Sequence, residues 1–362
     1  MRSVPALPVS IALCDPQALV GASIPQWELL VRQARAANLL PRIAGSLDEL
    51  GLLREVPAAP RAHLVAARAL AEAQADAVRR EIAYIDRALA ASGVPIVLLK
   101  GAAYLLAGLR AARGRIFSDI DILVPRPALA EVEAALMLNG WATAKTTPYD
   151  QRYYRQWMHE LPPLMHISRQ TVLDVHHAIL PTTARLKPDS AKLLAASRPI
   201  GDEPRLRILA PADMVLHSAT HLFCNEDVGN GLRDLVDLDS LLRDFSRDDS
   251  FWPGLTVRAA ELDLTRPLYY ALRYAVRFLA TPVPASVLRA AEIGRPPSLL
   301  RGLMDGIFLR TLQPDRAGAA EGLAALARGS LYVRAHWLRM PPLLLAYHLV
   351  IKAFRREQVP AR

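Results

Sequence analysis

Apolar residues recur every three or four positions through "PQWELLVRQARAANLL" and, over a longer span, "PRAHLVAARALAEAQADAVRREIAYIDRALAASG". That period gathers them on one helix face. The second segment opens on Pro60 and closes at Ser92-Gly93, a helix stop, and its length marks it as a packing helix against the next domain. The grammar then changes. "VPIVLLKG" is a short β-rich run that ends in Gly101 and feeds a helical "AAYLLAGLRAA". "SDIDILV" alternates as a strand does, "RPALAEVEAALMLNG" reads as a helix, and "WATAKT" can be a strand. "LPPLMHIS" and "TVLDVHHAI" form a predicted hairpin turning at Ser168-Arg169-Gln170. From "ILAPADMVLHSATHLF" onward the period is helical again, with breaks at "TPVP" and at Pro296-Pro297.

These elements predict an α/β (α+β) protein in three parts: a helical N-terminal region over 1–92, a small mixed-sheet core over 93–182, and a helical C-terminal region over 183–362. A length of 362 residues with 52% hydrophobic and 22% charged residues fits a globular chain with real cores. The net charge of +9 is almost wholly arginine, since Lys stands only at positions 100, 145, 187, 192 and 352. The arginines are spread along every segment, which reads as solvated faces. A polyanion such as tRNA is permitted by the charge but not favoured, because no dense basic cluster interleaves with aromatics.

Cys14 and Cys224 lie outside any metal-ligand spacing, and a reducing, cytoplasmic setting is expected. The N-terminal apolar stretch is broken by Pro5, Pro8, Asp15 and Pro16, which argues against export. No window reaches the ~18 apolar residues a bilayer span needs. The tail "MPPLLLAYHLVIKAFRRE" fits a docked C-terminal helix, with peripheral membrane contact through its basic end as the alternative.

The chemistry concentrates in "RIFSDIDILVP". Side chains alternate along a strand, so Asp119 and Asp121 share a face while Ile120 and Ile122 take the other. Two carboxylates that close raise each other's pKa unless a cation stands between them, and Mg²⁺, which takes oxygen ligands, answers that need. The plain alternative is a pair of exposed edge-strand aspartates. Three neighbours favour the metal: Gly101 at a strand-to-helix turn where an anion can approach, Asp174 on a later strand, and Arg115, whose guanidinium is expected to reach a phosphate oxygen.

A glycine turn, Asp-x-Asp on a strand and a third carboxylate on another strand resemble the nucleotidyltransferase superfamily typified by DNA polymerase β. "LLKGAAYL", "RIFSDIDILV" and "LDVHHAIL" resemble one bacterial branch of it, the "uncharacterised nucleotidyltransferase" family, over about residues 93 to 240. The resemblance implies a polymerase-β-like core and two Mg²⁺ ions (Mn²⁺ as substitute) held by Asp119, Asp121 and Asp174, with Asp174 also priming the acceptor. It implies an NTP, ATP foremost, as donor of a nucleoside monophosphate to a hydroxyl on a small molecule, peptide product or protein. Lys100, Gly101, Arg115, Ser118 and His176 are the expected nucleotide-side residues. The family's usual Gly-Ser pair is Gly101-Ala102 here, and Lys100 is expected to cover for the missing hydroxyl. The alternatives are a catalytically decayed nucleotide-binding scaffold of a biosynthetic cluster and a tRNA-directed nucleotidyltransferase.

Other residues receive plainer readings. His177 is expected to be structural. His217 and His221, at i, i+4 spacing, read as a helix face lining the cleft rather than a zinc site. Arg233, Asp234 and Asp237 read as intrahelical ion pairs, with a role in orienting the catalytic core as second choice. Tyr153, Tyr154 and Trp157 read as core, a stacking wall for a base being the alternative.

Overall fold

A computed structural model describes residues 9–143, 147–201, 203–225, 229–313 and 321–346. After the short helix Val9–Cys14 come three longer ones, Ile24–Ala36, Leu40–Glu49 and Ala58–Ala88. Ser23 and Gln26 close a capping box at the start of the first of these, which satisfies amide groups left free there. The third of them, 31 residues long, spans about 46 Å. It stops where the sequence signals: a short 3₁₀ turn, Ala90–Ser92, follows, and Gly93 takes the left-handed conformation at φ 63°.

Seven strands come next: β1 (Ile96–Leu98), β2 (Ile120–Leu123), β3 (Trp141–Thr143), β4 (Leu164–His166), β5 (Val172–His176), β6 (Arg198–Ile200) and β7 (Glu203–Ile208). They form one sheet in the order β3-β4-β5-β2-β1-β7-β6. β2 runs parallel to β5 and β1 parallel to β7, while β1 with β2, β3 with β4, β4 with β5 and β6 with β7 are antiparallel. The sheet is therefore mixed, as expected, and β1 and β2 at its centre are buried throughout.

β6 and β7 lie in the stretch expected to be helical. The signal was local: Gly201 turns the chain at φ 58°, and "PRLRI" alternates as a half-buried strand does. The predicted 168–170 turn does join β4 to β5, with Gln170 left-handed at φ 59°.

The long N-terminal helix packs on the sheet, as its length suggested. Arg169, on the β4–β5 turn, donates to Glu81 at 2.7 and 2.8 Å, and its guanidinium stacks 4.5 Å from the Tyr84 ring and 4.9 Å from Trp141. Beyond the sheet come helices Pro211–Cys224, Gly231–Phe245, Phe251–Glu261, Thr265–Leu279, Ala285–Ala291, Ser298–Thr311 and Glu321–Arg339. One continuous apolar core joins the N-terminal helices, the sheet and the C-terminal helices. Among the described residues no helix is long and apolar enough to cross a membrane. The basic end of the tail, the candidate for peripheral membrane contact, lies outside the described residues.

Candidate active site

Residues 119 to 123 pass through the middle of the sheet, and the parallel register sets Asp121 directly across from Asp174. Asp119 enters one residue before β2. Ligand oxygens of Asp119, Asp121 and Asp174 all lie within 4.8 Å of one another. Ile120 and Ile122, on the opposite face, are fully buried. The alternation of "SDIDIL" thus delivers what it predicts: apolar side chains into the core, carboxylates together.

The three acids do not share one environment. Asp121 is buried, and its Oδ1 accepts from Lys100 Nζ at 2.8 Å and faces His176 Nε2 at 2.9 Å. Burial alone would raise its pKa, but the Lys100 ammonium and His176 outweigh that and hold the carboxyl well below the usual range. Reciprocally, burial would lower Lys100, and Asp121 more than offsets it, so the ammonium is held charged. Asp119 is half-exposed and accepts from Ser118 Oγ at 2.8 Å. Asp174 Oδ1 is buried with no hydrogen-bond partner. Burial first, then the charges of Asp121 and Glu160, push the Asp174 carboxyl up to about 7.

A buried carboxylate oxygen without a donor is costly, and three carboxylates sharing a few ångströms are costlier still. The donor set is all oxygen, the kind that hard divalent cations take. These residues fit Mg²⁺ or Mn²⁺.

The raised pKa has a consequence for stability. Between the unfolded value of ~3.9 and about 7, folded Asp174 keeps a proton that the unfolded chain has lost. Its stabilising contribution is therefore complete below the lower value and is lost as pH rises through the higher one. Mg²⁺ competes with that proton. The rise in melting temperature on adding Mg²⁺ is expected to be larger at pH 8 than at pH 6, and equal shifts at the two pH values would contradict the assignment.

The turn before this strand has a specific shape. Lys100 begins the helix Lys100–Leu106 in a left-handed conformation, φ 45°, which costs a non-glycine residue roughly 1–2 kcal/mol. Leu99 N–H donates to the Asp121 carbonyl at 3.0 Å, and together these features aim the Lys100 side chain at Asp121. At Gly101 a Cβ would stand 2.7 Å from Arg115 Nε and 3.1 Å from the Phe117 ring. The missing side chain thus makes room for Arg115 and Phe117.

Arg115 itself is buried and forms an ion pair with Asp237, which also receives Arg42 Nη2 at 2.7 Å. The Arg115 guanidinium lies 5.8 Å from the Tyr104 ring. The arginine expected at a phosphate is thus paired inside the protein. Asp237 is not an intrahelical partner. It joins the helix Leu40–Glu49, through Arg42, and the segment before β2, through Arg115, to the helix Gly231–Phe245. Of the three residues, Arg233 and Asp234 pair with each other within the helix, at 2.8 Å.

His176 shares the face of Asp174 and reaches both Asp121 and, through Nδ1 at 3.2 Å, Glu160. His177 is buried. His217 is buried too, while His221 stands 3.7 Å from Asp234. Burial, and then the Lys100 charge, push the pKa of both imidazoles down. Neither belongs to a metal-type cluster among the described residues. Tyr153, Tyr154 and Trp157, on the helix Pro148–Trp157, are half-buried rather than core, and Tyr153 lies 6.2 Å from Tyr149 and 6.1 Å from Trp157. Sequence reasoning did not single out Glu160 and His159, because "MHELPP" has no periodic pattern and both stand in an irregular segment.

A mixed sheet flanked by helices, with three acids converging on one face, is consistent with a nucleotidyltransferase core. A family model described as "Uncharacterised nucleotidyltransferase" matches residues 24–280, most of the chain. The protein belongs to that family. No curated protein and no solved structure matches the chain. The matched span contains all seven strands and runs through the helix Thr265–Leu279, so the family unit includes helices that precede and follow the strands in the chain. Membership supports transfer of a nucleoside monophosphate from an NTP as the general chemistry.

Proposed function

We propose that the protein is a divalent-metal-dependent nucleotidyltransferase that moves a nucleoside monophosphate from an NTP, ATP foremost, to a hydroxyl and releases pyrophosphate. The observation that carries the reading is the convergence of Asp119, Asp121 and Asp174 within 4.8 Å. Two Mg²⁺ ions held by these carboxylates would supply charge neutralisation for the entering and leaving oxygens of an in-line displacement at the α-phosphate.

The chain's own residues do the rest. Asp121 and Asp174 are fixed across from each other by the β2–β5 register, so the distance between their carboxylates is set before substrate arrives, which is where positioning catalysis gains its rate. Asp174 Oδ1, buried and without a donor, takes the proton of the acceptor hydroxyl as the new oxygen–phosphorus bond forms. The bond from the α-phosphorus to pyrophosphate breaks in the same displacement. Lys100 replaces the serine hydroxyl of the usual Gly-Ser pair: its ammonium neutralises Asp121 and stands beside the turn where triphosphate oxygens arrive. His176 and Ser118 hold Asp121 and Asp119 in place through their hydrogen bonds.

The test is incubation of the purified chain with each NTP labelled at the α-phosphate, Mg²⁺ and lysate from its own cell. Label is expected on one acceptor class, dependent on Mg²⁺ and absent with Asp119→Asn. Equal labelling by the variant would remove the catalytic assignment. Tight NTP binding with no transfer to any acceptor would favour the nucleotide-binding scaffold.

A further inference from the structure

Beside the acid trio lies a second cluster of different chemistry. His159, Glu160 and His176 each offer a ligand atom, and these atoms lie within 4.8 Å of one another. Glu160 Oε2 is 3.2 Å from His176 Nδ1 and 3.9 Å from His159 Nε2, and the two imidazole rings are 5.3 Å apart. Backbone contacts build this arrangement. Glu160 and His176 form an antiparallel bridge, His177 N–H donates to the His159 carbonyl at 2.8 Å, and Leu161 N–H donates to the Val175 carbonyl at 2.9 Å. The segment leaving the aromatic helix is thereby laid along the end of β5.

We infer that His159, Glu160 and His176 form a site for a zinc-class divalent ion, distinct from the all-oxygen site of the three aspartates. Two imidazole nitrogens and one carboxylate oxygen are a donor set that binds borderline ions such as Zn²⁺, with a fourth position left for water. Mg²⁺ prefers oxygen and holds its waters, which suits the aspartates instead.

His159 turns Nε2 toward Glu160 at 3.9 Å, beyond hydrogen-bond range, so no hydrogen bond within the cluster accounts for that contact. His176 has the arrangement metal-bound imidazoles show: one nitrogen, Nδ1, faces the cluster while the other, Nε2, contacts a carboxylate, Asp121, at 2.9 Å. An ion on Nδ1 leaves the ring's proton on Nε2, where it donates to Asp121. The ion would thus fix the tautomer and orientation of the residue that holds the central catalytic carboxylate. It would also staple the end of the helix Pro148–Trp157 to the sheet. His176 is in this sense a positioning residue.

The test uses the full chain, purified without an affinity tag and stripped by a chelator, with Co²⁺ as a visible stand-in for Zn²⁺. One equivalent of Co²⁺ is expected to give a visible absorption band that one equivalent of Zn²⁺ abolishes and a thousandfold excess of Mg²⁺ does not. Glu160→Gln and His159→Gln are expected to weaken Zn²⁺ binding more than about tenfold, while Asp119→Asn keeps the band. Binding of no Co²⁺ would overturn the site. So would a band lost in Asp119→Asn and kept in Glu160→Gln, since the ion would then sit on the aspartates. Should either cluster variant fail to fold, X-ray absorption of the Zn²⁺-loaded native chain decides: two imidazoles in the ligand shell support the site, and an all-oxygen shell contradicts it. None of these readouts depends on nucleotidyl transfer.

Discussion

Asp121→Asn is expected to lower nucleotidyl transfer by about a thousandfold or more. That magnitude rests on the loss of several kcal/mol of metal-borne charge stabilisation, each ~1.4 kcal/mol being a factor of ten. Asp121 is the most constrained of the three acids: buried, set opposite Asp174, with Lys100 and His176 on one oxygen. Asparagine keeps the volume and one carbonyl oxygen but removes the charge that both cations and metals answer. Single-turnover transfer of labelled nucleotide, run beside the native chain at saturating Mg²⁺, reads the effect. A variant with more than a tenth of native activity would show that Asp121 is not a metal-binding carboxylate. Far-UV circular dichroism on the same sample separates lost chemistry from lost fold, because Lys100 is left facing a neutral side chain.

The second large effect is on stability. Asp237→Ala leaves Arg42 and Arg115 buried with no carboxylate between them. Burial, and then the charge of Arg233, already push both guanidinium pKa values down to about 10, a sign of how much desolvation this pair opposes. Removing one partner of a buried ion pair costs ~3–5 kcal/mol, so a fall in melting temperature on the order of 10 °C is expected. Asp249→Ala, at an exposed position, should change stability by no more than about 0.5 kcal/mol. Transfer should fall with Asp237→Ala as well, because Arg115 packs against Gly101 in the catalytic turn. A melting temperature within a degree of native would mean that the Arg42–Asp237–Arg115 junction is not what holds the helices to the core.

The same contrast explains which parts of the protein were legible in the sequence. Asp119 and Asp121 could be read because strand alternation is a local rule, and Asp174 could be read because its strand has the same alternation. The long helix, its stop at Gly93 and the β4–β5 turn were legible for similar reasons: each depends on residues within a few positions. The junction at Asp237 was not, since its partner Arg42 lies 195 positions away and no periodicity connects them. Arg115 illustrates the cost of reading it alone. Four residues from Asp119, it looks like a phosphate ligand, yet its charge is taken up by a helix more than a hundred residues downstream. His159 and Glu160 were hidden differently. They occupy an irregular segment, and only its backbone pairing with β5 brings them to His176. β6 and β7 left a signal at Gly201 and in "PRLRI" that the surrounding helical pattern obscured.

The most direct measurement is a crystal of the native chain with Mn²⁺ and a non-hydrolysable NTP, read by the anomalous scattering of manganese. Manganese is predicted on the carboxylates of residues 119, 121 and 174, with the α-phosphate alongside. Manganese bound elsewhere, or nucleotide bound with no ion on the aspartates, would contradict the account.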